Sequence, residues 1–520
     1  MPPAKAVAAQ DGHRETSVLI IAVFVAGLCS IIYQLLISTT SSYFLGDSVK
    51  QFSLTMGLYM ASMGAGAWLS RYIRNQLIRN FIYLEIALGF LGGACVPLLY
   101  FCYAAAPDAY IYVMIALSLS IGLLIGFEIP LLTRILEHHY SLKFNISNVL
   151  SIDYLGALIA TLLFPFLLLP LFGTFRSSLI IGLINLGLGF LILAFFGRKE
   201  CGRQSMALTA LNTITAVTLA LLLIFAHSLT GLWSQSLYTD QIILDQQTRY
   251  QKLVLTRYAD DIRLFLNGNL QFSSRDEYRY HESLVHPPMA FARAHERVLV
   301  LGGGDGLALR ELLKYDDLGT ITLVDLDPAV TELARANPLI RSLNEGALDH
   351  EKVEVLNQDA MQFLLQTAPG TYDVILADLP DPNNVSLARL YSREFFNLVA
   401  SRLKPAGVFV TQSTSPYFAR QAFWTIHETL QSSDFDTVVP YHVNVPSFGI
   451  WGFNLATRSQ GQLAHLPRLS VATRYLDEAI FSQLFIFPPD LRPPDEAPAV
   501  STLDDPKLMH AYLKGWNYWR

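Results

Sequence analysis

Residues 297–306 read Arg297-Val-Leu-Val-Leu-Gly-Gly-Gly-Asp-Gly306, and this stretch decides the fold. Val298 to Leu301 are four apolar residues in a row, the pattern of a strand buried on both faces. A turn of glycines and one aspartate follows, and Leu307 to Lys314 take up helical spacing. Strand, glycine turn and helix open a doubly wound sheet, where a ligand meets backbone N–H groups at a helix N-terminus. A dinucleotide fingerprint needs Gly-x-Gly-x-x-Gly. Here Gly302, Gly304 and Gly306 give Gly-x-Gly-x-Gly, and Leu307 holds the later position. Asp305 inside the turn repels a diphosphate, so the expected ligand approaches the backbone closely and carries positive charge.

Downstream, four more strands end on polar groups. Thr320–Val324 ends on Asp325, and a carboxylate there can accept both ribose hydroxyls. Val353–Leu356 leads to Asp359, placed to accept from an adenine amino group. Tyr372–Ala377 leads to Asp378 and Asp381, and Gly407–Thr411 to Gln412. Any one of these acids could be a helix cap, Asp381 before Pro382 most of all. Their succession at strand ends points instead to one acidic cleft.

Upstream, period-two patterns at 241–245, 250–256, 262–266 and 270–272, with Asn267-Gly268 between the last two, predict a small antiparallel sheet. It is too small to stand alone and is expected to pack on the next domain or a partner chain. Ser274 with Glu277 reads as a capping box, and Pro287-Pro288 as the end of that helix.

Before Trp233 the chain is almost wholly apolar, which raises the hydrophobic fraction to 52%. Seven runs long enough to cross a bilayer fall near 17–39, 52–71, 80–104, 110–133, 149–173, 177–197 and 206–231. Gly57, Gly64, Gly66, Gly122 and Gly126 suit close packing of such helices. Gln34, Glu85, Glu128 and Asp153 lie within the runs, and an ionisable group at membrane depth marks a functional site. Glu85 and Asp153 fall near run ends, where the interface is an equal alternative; Glu128 is deeper. The division expected is a polar tail (1–16), a helix bundle (17–232), a small β domain with linker helix (233–290), an α/β domain (291–460) and an extension (461–520). Asp504–Trp519 reads as a last helix, set on the domain or on the membrane surface.

Net charge is −6 and the second half has no basic run, which argues against nucleic acid as a partner. All four cysteines lie in the apolar half, and His281 and His286 lack a third ligand, so no metal site is predicted. An acidic cleft without metal motif, Lys base or Ser/Cys nucleophile attracts cations. A sulfonium nucleoside and an amine fit it. Attack on the carbon beside S⁺ leaves a neutral thioether, so the leaving group needs no acid. The amine, with a pKa near ~10, must first lose a proton. Asp378, in the turn after the fourth strand, is placed to take it.

From about Tyr238 to Thr457 the chain resembles the spermidine synthase (polyamine aminopropyltransferase) family. The resemblance rests on Tyr250-Gln251, Asp276–Glu282, Leu284–Pro288, Gly302–Gly306, Arg310–Leu312, Asp359-Ala360, Tyr372-Asp373, Asp378, Asp381-Pro382, Leu390–Ser392 and Trp451–Phe453. The whole chain resembles the subgroup in which this domain follows membrane spans. The implied fold is a transmembrane helix bundle, a small antiparallel β domain that commonly dimerises, and a Rossmann-like domain of the class I S-adenosylmethionine-methyltransferase type. The implied reaction moves the aminopropyl group of decarboxylated S-adenosylmethionine, a co-substrate, to putrescine, with no other cofactor. Gln251, Gly302, Gly304, Asp305, Asp325 and Asp359 would bind the donor, Asp305 meeting its amine. Tyr280, His281, Asp381, Gln412 and Trp451 would line the acceptor end, Gln271 the cleft wall, and Asp378 would catalyse. The implied assembly is a homodimer in contact with membrane lipid.

The sequence departs from the family pattern in three places. Asp325 replaces the usual Glu, Leu379 and Pro380 replace small hydroxyl residues, and Phe448 stands where a pocket Tyr is usual. The reaction type is therefore better supported than putrescine as acceptor. A methyltransferase on the same fold is one rival reading, though Asp305 disfavours a donor that brings a carboxylate. A polyamine transporter or sensor with a soluble binding domain is the other. Basic residues cluster at the N-terminus and after the second, fourth and sixth runs, which sets the N-terminus inside. Seven spans would then put the second half outside, against a cytosolic donor. The expectation is a multi-pass protein of the cell (inner) membrane with a cytoplasmic catalytic domain and a span count off by one.

Overall fold

The computed structural model describes residues 4–45, 48–137, 142–238 and 240–517. The chain divides into two compact units, 1–239 and 240–520.

The first unit is helical throughout. Its helices are α1 (Ala4–Leu45), α2 (Ser48–Leu69), α3 (Leu77–Ala105), α4 (Tyr110–Leu136), α5 (Leu142–Leu163), α6 (Leu169–Phe196), α7 (Gln204–Ile224) and α8 (Ala226–Leu237). The seven apolar runs are mainly helical, the run at 149–173 spanning α5 and the start of α6, and that at 206–231 spanning α7 and α8. Helix α1 begins at Ala4, so the expected irregular tail is helical from there. Five stretches among the described residues are long and apolar enough to cross a membrane. One of these, Ile146–Phe196, is 51 residues long and holds two of the predicted runs. It breaks at Gly173, whose φ of +68° interrupts the helix. Glycines carry the tightest contacts: a Cβ on Gly126 would stand 2.2 Å from the Met63 carbonyl, and one on Gly66 2.1 Å from the Leu123 carbonyl. No larger residue lets α2 and α4 meet so closely.

In the second unit, β1 (Gln241–Gln247), β2 (Lys252–Tyr258), β3 (Asp261–Leu266) and β4 (Asn269–Ser273) form the predicted antiparallel sheet in sequential order. Asn267 and Gly268 have φ of 50° and 81°, as a tight primed hairpin turn requires. Leu255, Ile262, Leu264 and Phe272 share a core with the α/β domain, so the sheet packs on that domain.

Helix α9 (Glu277–Phe291) follows. It corrects two expectations. Ser274 does not cap it, because its hydroxyl is used on Ile262 N and Asp261 instead. Nor do the prolines end it. Pro287 frees the Ser283 carbonyl, and the Tyr441 hydroxyl donates to that carbonyl at 2.8 Å, so the helix runs through.

The α/β domain alternates β5 (Arg297–Gly302), α10 (Leu307–Leu312), β6 (Thr320–Asp325), α11 (Pro328–Ala336), α12 (Pro338–Leu343), β7 (Val353–Asn357), α13 (Ala360–Gln366), β8 (Tyr372–Asp378), α14 (Val385–Ala388), α15 (Arg393–Arg402), β9 (Leu403–Gln412) and α16 (Arg420–Gln431). A hairpin of β10 (Thr437–Val445) and β11 (Gly449–Thr457), then α17 (Glu478–Gln483) and α18 (Lys507–Asn517), complete it. Strand order is β10-β11-β9-β8-β5-β6-β7, with β5 to β9 parallel and the final hairpin antiparallel. Val298 and Val300 face one core and Leu299 and Leu301 the other, all at 0% exposure, as the opening apolar run requires. The chain steps outward from β5 through β7 and then returns to β8 on the other side. The switch point is thus between β5 and β8, where Gly302 pairs with Asp378.

Candidate active site

The floor is the turn from β5 to α10. A Cβ on Gly302 would stand 2.0 Å from the Asp378 carbonyl, and its φ is +81°. A Cβ on Gly304 would stand 2.6 Å from Asp325 Oδ2, and the Gly304 N–H donates to that oxygen at 3.0 Å. At these two positions glycine is required by the chain's own strand ends before any ligand is considered.

One end of the site gathers around Asp325. Its Oδ1 accepts from Asp327 N at 2.9 Å. Burial pushes its carboxyl up to about 6 against these two N–H donors. Asp327 caps α11 and accepts from Thr248 Oγ1 at 2.7 Å and Gln251 Nε2 at 3.2 Å. Gln251 thus reaches this corner through Asp327, a residue the sequence reading had left out of the site. Asp359 is engaged on both oxygens. Oδ1 caps α13 through Gln362 N at 3.0 Å, and Oδ2 pairs with Arg389. Its cap role is real, and adenine at this position would meet Arg389 as well.

Between the ends stand Asp305 and Asp378. Asp305 Oδ1 accepts from Leu307 N at 2.9 Å, and burial raises its carboxyl. The Tyr280 hydroxyl donates to Asp378 Oδ1 at 2.5 Å. Burial pushes Asp378 up to about 6, with the nearby Asp305 charge adding to the rise and His281 opposing it. His281 is 2% exposed and lies close enough to Asp305 and Asp378 to feel their charges. Its Nδ1 donates to Glu277 Oε2 at 2.7 Å. Burial disfavours its charge, yet the Glu277 carboxylate outweighs this and the imidazole is pushed up to about 9. Arg310 in turn holds Glu277 with two bonds of 2.9 and 3.0 Å. A fixed cation therefore sits behind the two central acids.

At the other end Asp381 caps no helix; Asn384 caps α14 instead. Asp381 accepts from Gln412 Nε2 at 3.2 Å, Thr414 Oγ1 at 3.4 Å and the Tyr512 hydroxyl at 3.0 Å. Gln412 is 2% exposed and also donates to the Leu379 carbonyl and Tyr391 hydroxyl, so it frames this end rather than lining it. Thr414 holds a left-handed φ of 55°, a strained conformation for a β-branched residue. Trp451 packs on Phe448 at 5.2 Å, and Phe448 meets Tyr280 edge-on at 6.0 Å. Gln271 donates to the Asn269 carbonyl on its own strand and makes no contact with these groups.

In the helical unit Glu85 is 0% exposed. Asn185 Nδ2 donates to its Oε2 at 2.6 Å, and Glu128 lies within hydrogen-bonding reach. Glu128 and Gln34 are buried, and Asp153 lies against Gly27.

A polyamine aminopropyltransferase of Leptospira interrogans is 42% identical over 503 residues, 96% of this chain and 98% of that protein. Another, of Oceanobacillus iheyensis, is 43% identical over 513 residues, 97% of this chain and 99% of that protein. The chain belongs to the polyamine aminopropyltransferase family. It is an enzyme, an aminopropyltransferase. The family model described as Spermine/spermidine synthase domain matches residues 277–466. A solved spermidine synthase in complex with the transition state analogue AdoDATO is 24% identical, covering 48% of this chain and 86% of that one at a TM-score of 0.45.

For an aminopropyltransferase, the matched segment runs from α9 through β11 and so includes every acid from Asp305 to Asp381. Tyr512 lies beyond it, on α18. The sequence offered no motif to find Tyr512, Thr414 or Arg389, because each is brought to the cleft by packing. Asp327 lies two residues past the strand end, where it caps α11 and also meets Gln251.

Proposed function

We propose that this aminopropyltransferase takes decarboxylated S-adenosylmethionine as donor and a short diamine, putrescine in the first instance, as acceptor. The acceptor nitrogen attacks the carbon beside S⁺. The new C–N bond forms as the C–S bond breaks, and the electron pair goes to sulfur as methylthioadenosine leaves. The proton shed by nitrogen passes to Asp378. Asp325 and Asp359 hold the nucleoside, and Asp305 takes the donor's amine. The observation that carries this reading is the buried Asp378 carboxylate, oriented by Tyr280 beside the glycine turn. Its raised pKa suits a group that must gain and lose a proton near neutrality.

Full-length protein given donor and putrescine should release methylthioadenosine. Asp378→Asn, which preserves shape and can still accept from Tyr280, should lower kcat by at least ~10²-fold. No release with any diamine or polyamine rejects the reading.

We further propose that the helical unit lies in the cell membrane. The support is its five long apolar stretches and the large apolar side chains it exposes, such as Phe101 at 70% and Phe166 at 71%.

A further inference from the structure

We propose that Tyr512, carried by the C-terminal helix, is an acceptor-binding residue that sets which amine the enzyme uses. The inference rests on the proposed reaction and on the place at the acceptor end that the family resemblance implies for Asp381.

Residues 461–520 read as an extension whose last helix is set on the domain or on the membrane surface, and the structure ties them to the domain in steps. Trp424 Nε1 donates to the Leu491 carbonyl at 2.9 Å, and Arg420 binds the carbonyls of Arg492 and Pro493. The Ser501 carbonyl accepts from Arg393 N at 2.9 Å, and Ser501 N donates to Thr429 Oγ1 at 3.0 Å. These contacts deliver α18 onto α16. There Leu508 is fully buried and Trp516 stacks on Phe418 at 5.3 Å. Gly515 permits the approach, since a Cβ would stand 2.8 Å from Ala419 Cα.

So seated, Tyr512 is 8% exposed and donates to Asp381 Oδ2 at 3.0 Å. Its oxygen keeps lone pairs that can accept from an ammonium N–H. Asp381 supplies charge, and Tyr512 supplies a second acceptor and a wall. In the neighbouring hairpin Phe448 has no hydroxyl, and those of Ser447 and Tyr441 are engaged by Asp276 and the Ser283 carbonyl. Of the other tyrosines here, Tyr280 donates to Asp378, and Tyr391 to the carbonyls of Leu379 and Pro380. The wall has a chemical consequence: it limits the length of amine that fits between Asp378 and Asp381.

Tyr512→Phe keeps the ring and removes the hydroxyl. In the full-length enzyme it should raise the acceptor KM about tenfold, with donor KM and kcat unchanged, as expected for one hydrogen bond to a charged group. Tyr512→Ala should open the end of the cleft and shift preference from short diamines toward longer polyamines, read as a ratio of kcat/KM values. Phe and Ala variants that keep wild-type acceptor KM and ranking overturn the proposal, whether or not their melting temperature falls. If the unaltered enzyme releases no methylthioadenosine with any amine, the underlying reaction has failed instead, so the two failures are distinguishable.

Discussion

His281 and Asp378 experience the same burial and respond in opposite ways. Burial opposes charge on both. The imidazole gains a carboxylate partner at 2.7 Å and stays protonated up to about 9, whereas the aspartate gains a tyrosine hydroxyl and rises to about 6. Transfer requires Asp378 ionised, so kcat/KM for the acceptor should fall as pH drops through about 6. His281→Gln removes the cation that holds this value down. The acid limb should then move to higher pH while Arg310 still neutralises Glu277. A pH profile of methylthioadenosine release for both proteins checks this; an unmoved limb rejects the electrostatic role. At this scale the chemistry was well legible, since residue type and strand-end position named Asp305, Asp325, Asp378 and Asp381. The direction a side chain faces was not. His281 reads as a cleft residue beside Tyr280, and nothing in the sequence shows that its imidazole is paired with Glu277.

The elements were legible where one physical cause dominates. Strand β5 carries an uninterrupted apolar run into the glycine turn, β6 and β8 run into Asp325 and Asp378, and the β3–β4 turn is an Asn-Gly pair. The β10–β11 hairpin was missed because Pro440 sits inside its first strand. Proline is tolerated there because β10 is an edge strand. Helix α9 was cut short for the converse reason. A distant hydroxyl, that of Tyr441, satisfies the carbonyl its proline leaves open. The glycine turn gives this scale its test. Gly302→Ala puts a methyl 2.0 Å from the Asp378 carbonyl and demands a left-handed alanine, which costs roughly 1–2 kcal/mol before any clash. The β5–β8 seam must open and carry Asp378 with it. We expect activity to fall at least tenfold and the melting temperature to drop. Gly461→Ala is the control: that residue also has positive φ but no atom within 4 Å of a Cβ, so its activity should be unchanged.

Whole-molecule organisation turns on parity, which hydropathy alone reads poorly. Seven apolar runs seed the helices, and an odd number of crossings would separate the N-terminus from the catalytic unit. The structure supplies the physical distinctions that runs lack. Five stretches are long and apolar enough to cross. Ile146–Phe196, at 51 residues with a break at Gly173, is long enough to cross twice, which makes six. Helix α2 is outside that set and packs against α4 through Gly66 alone of its glycines, since a Cβ on Gly57 or Gly64 would meet nothing within 4 Å. Helix α8, with 12 residues, is too short to span. On the proposed membrane placement, six crossings would return the chain to its starting side. Basic residues near the N-terminus would set that side as the cytoplasm. There the proposed donor and diamine would meet the cleft without crossing the bilayer. A reporter pair fused after Arg520, one partner active only inside and the other only outside, should give the inside signal. An outside signal would place the acidic cleft beyond the cytosol and require a different source for its cationic substrates.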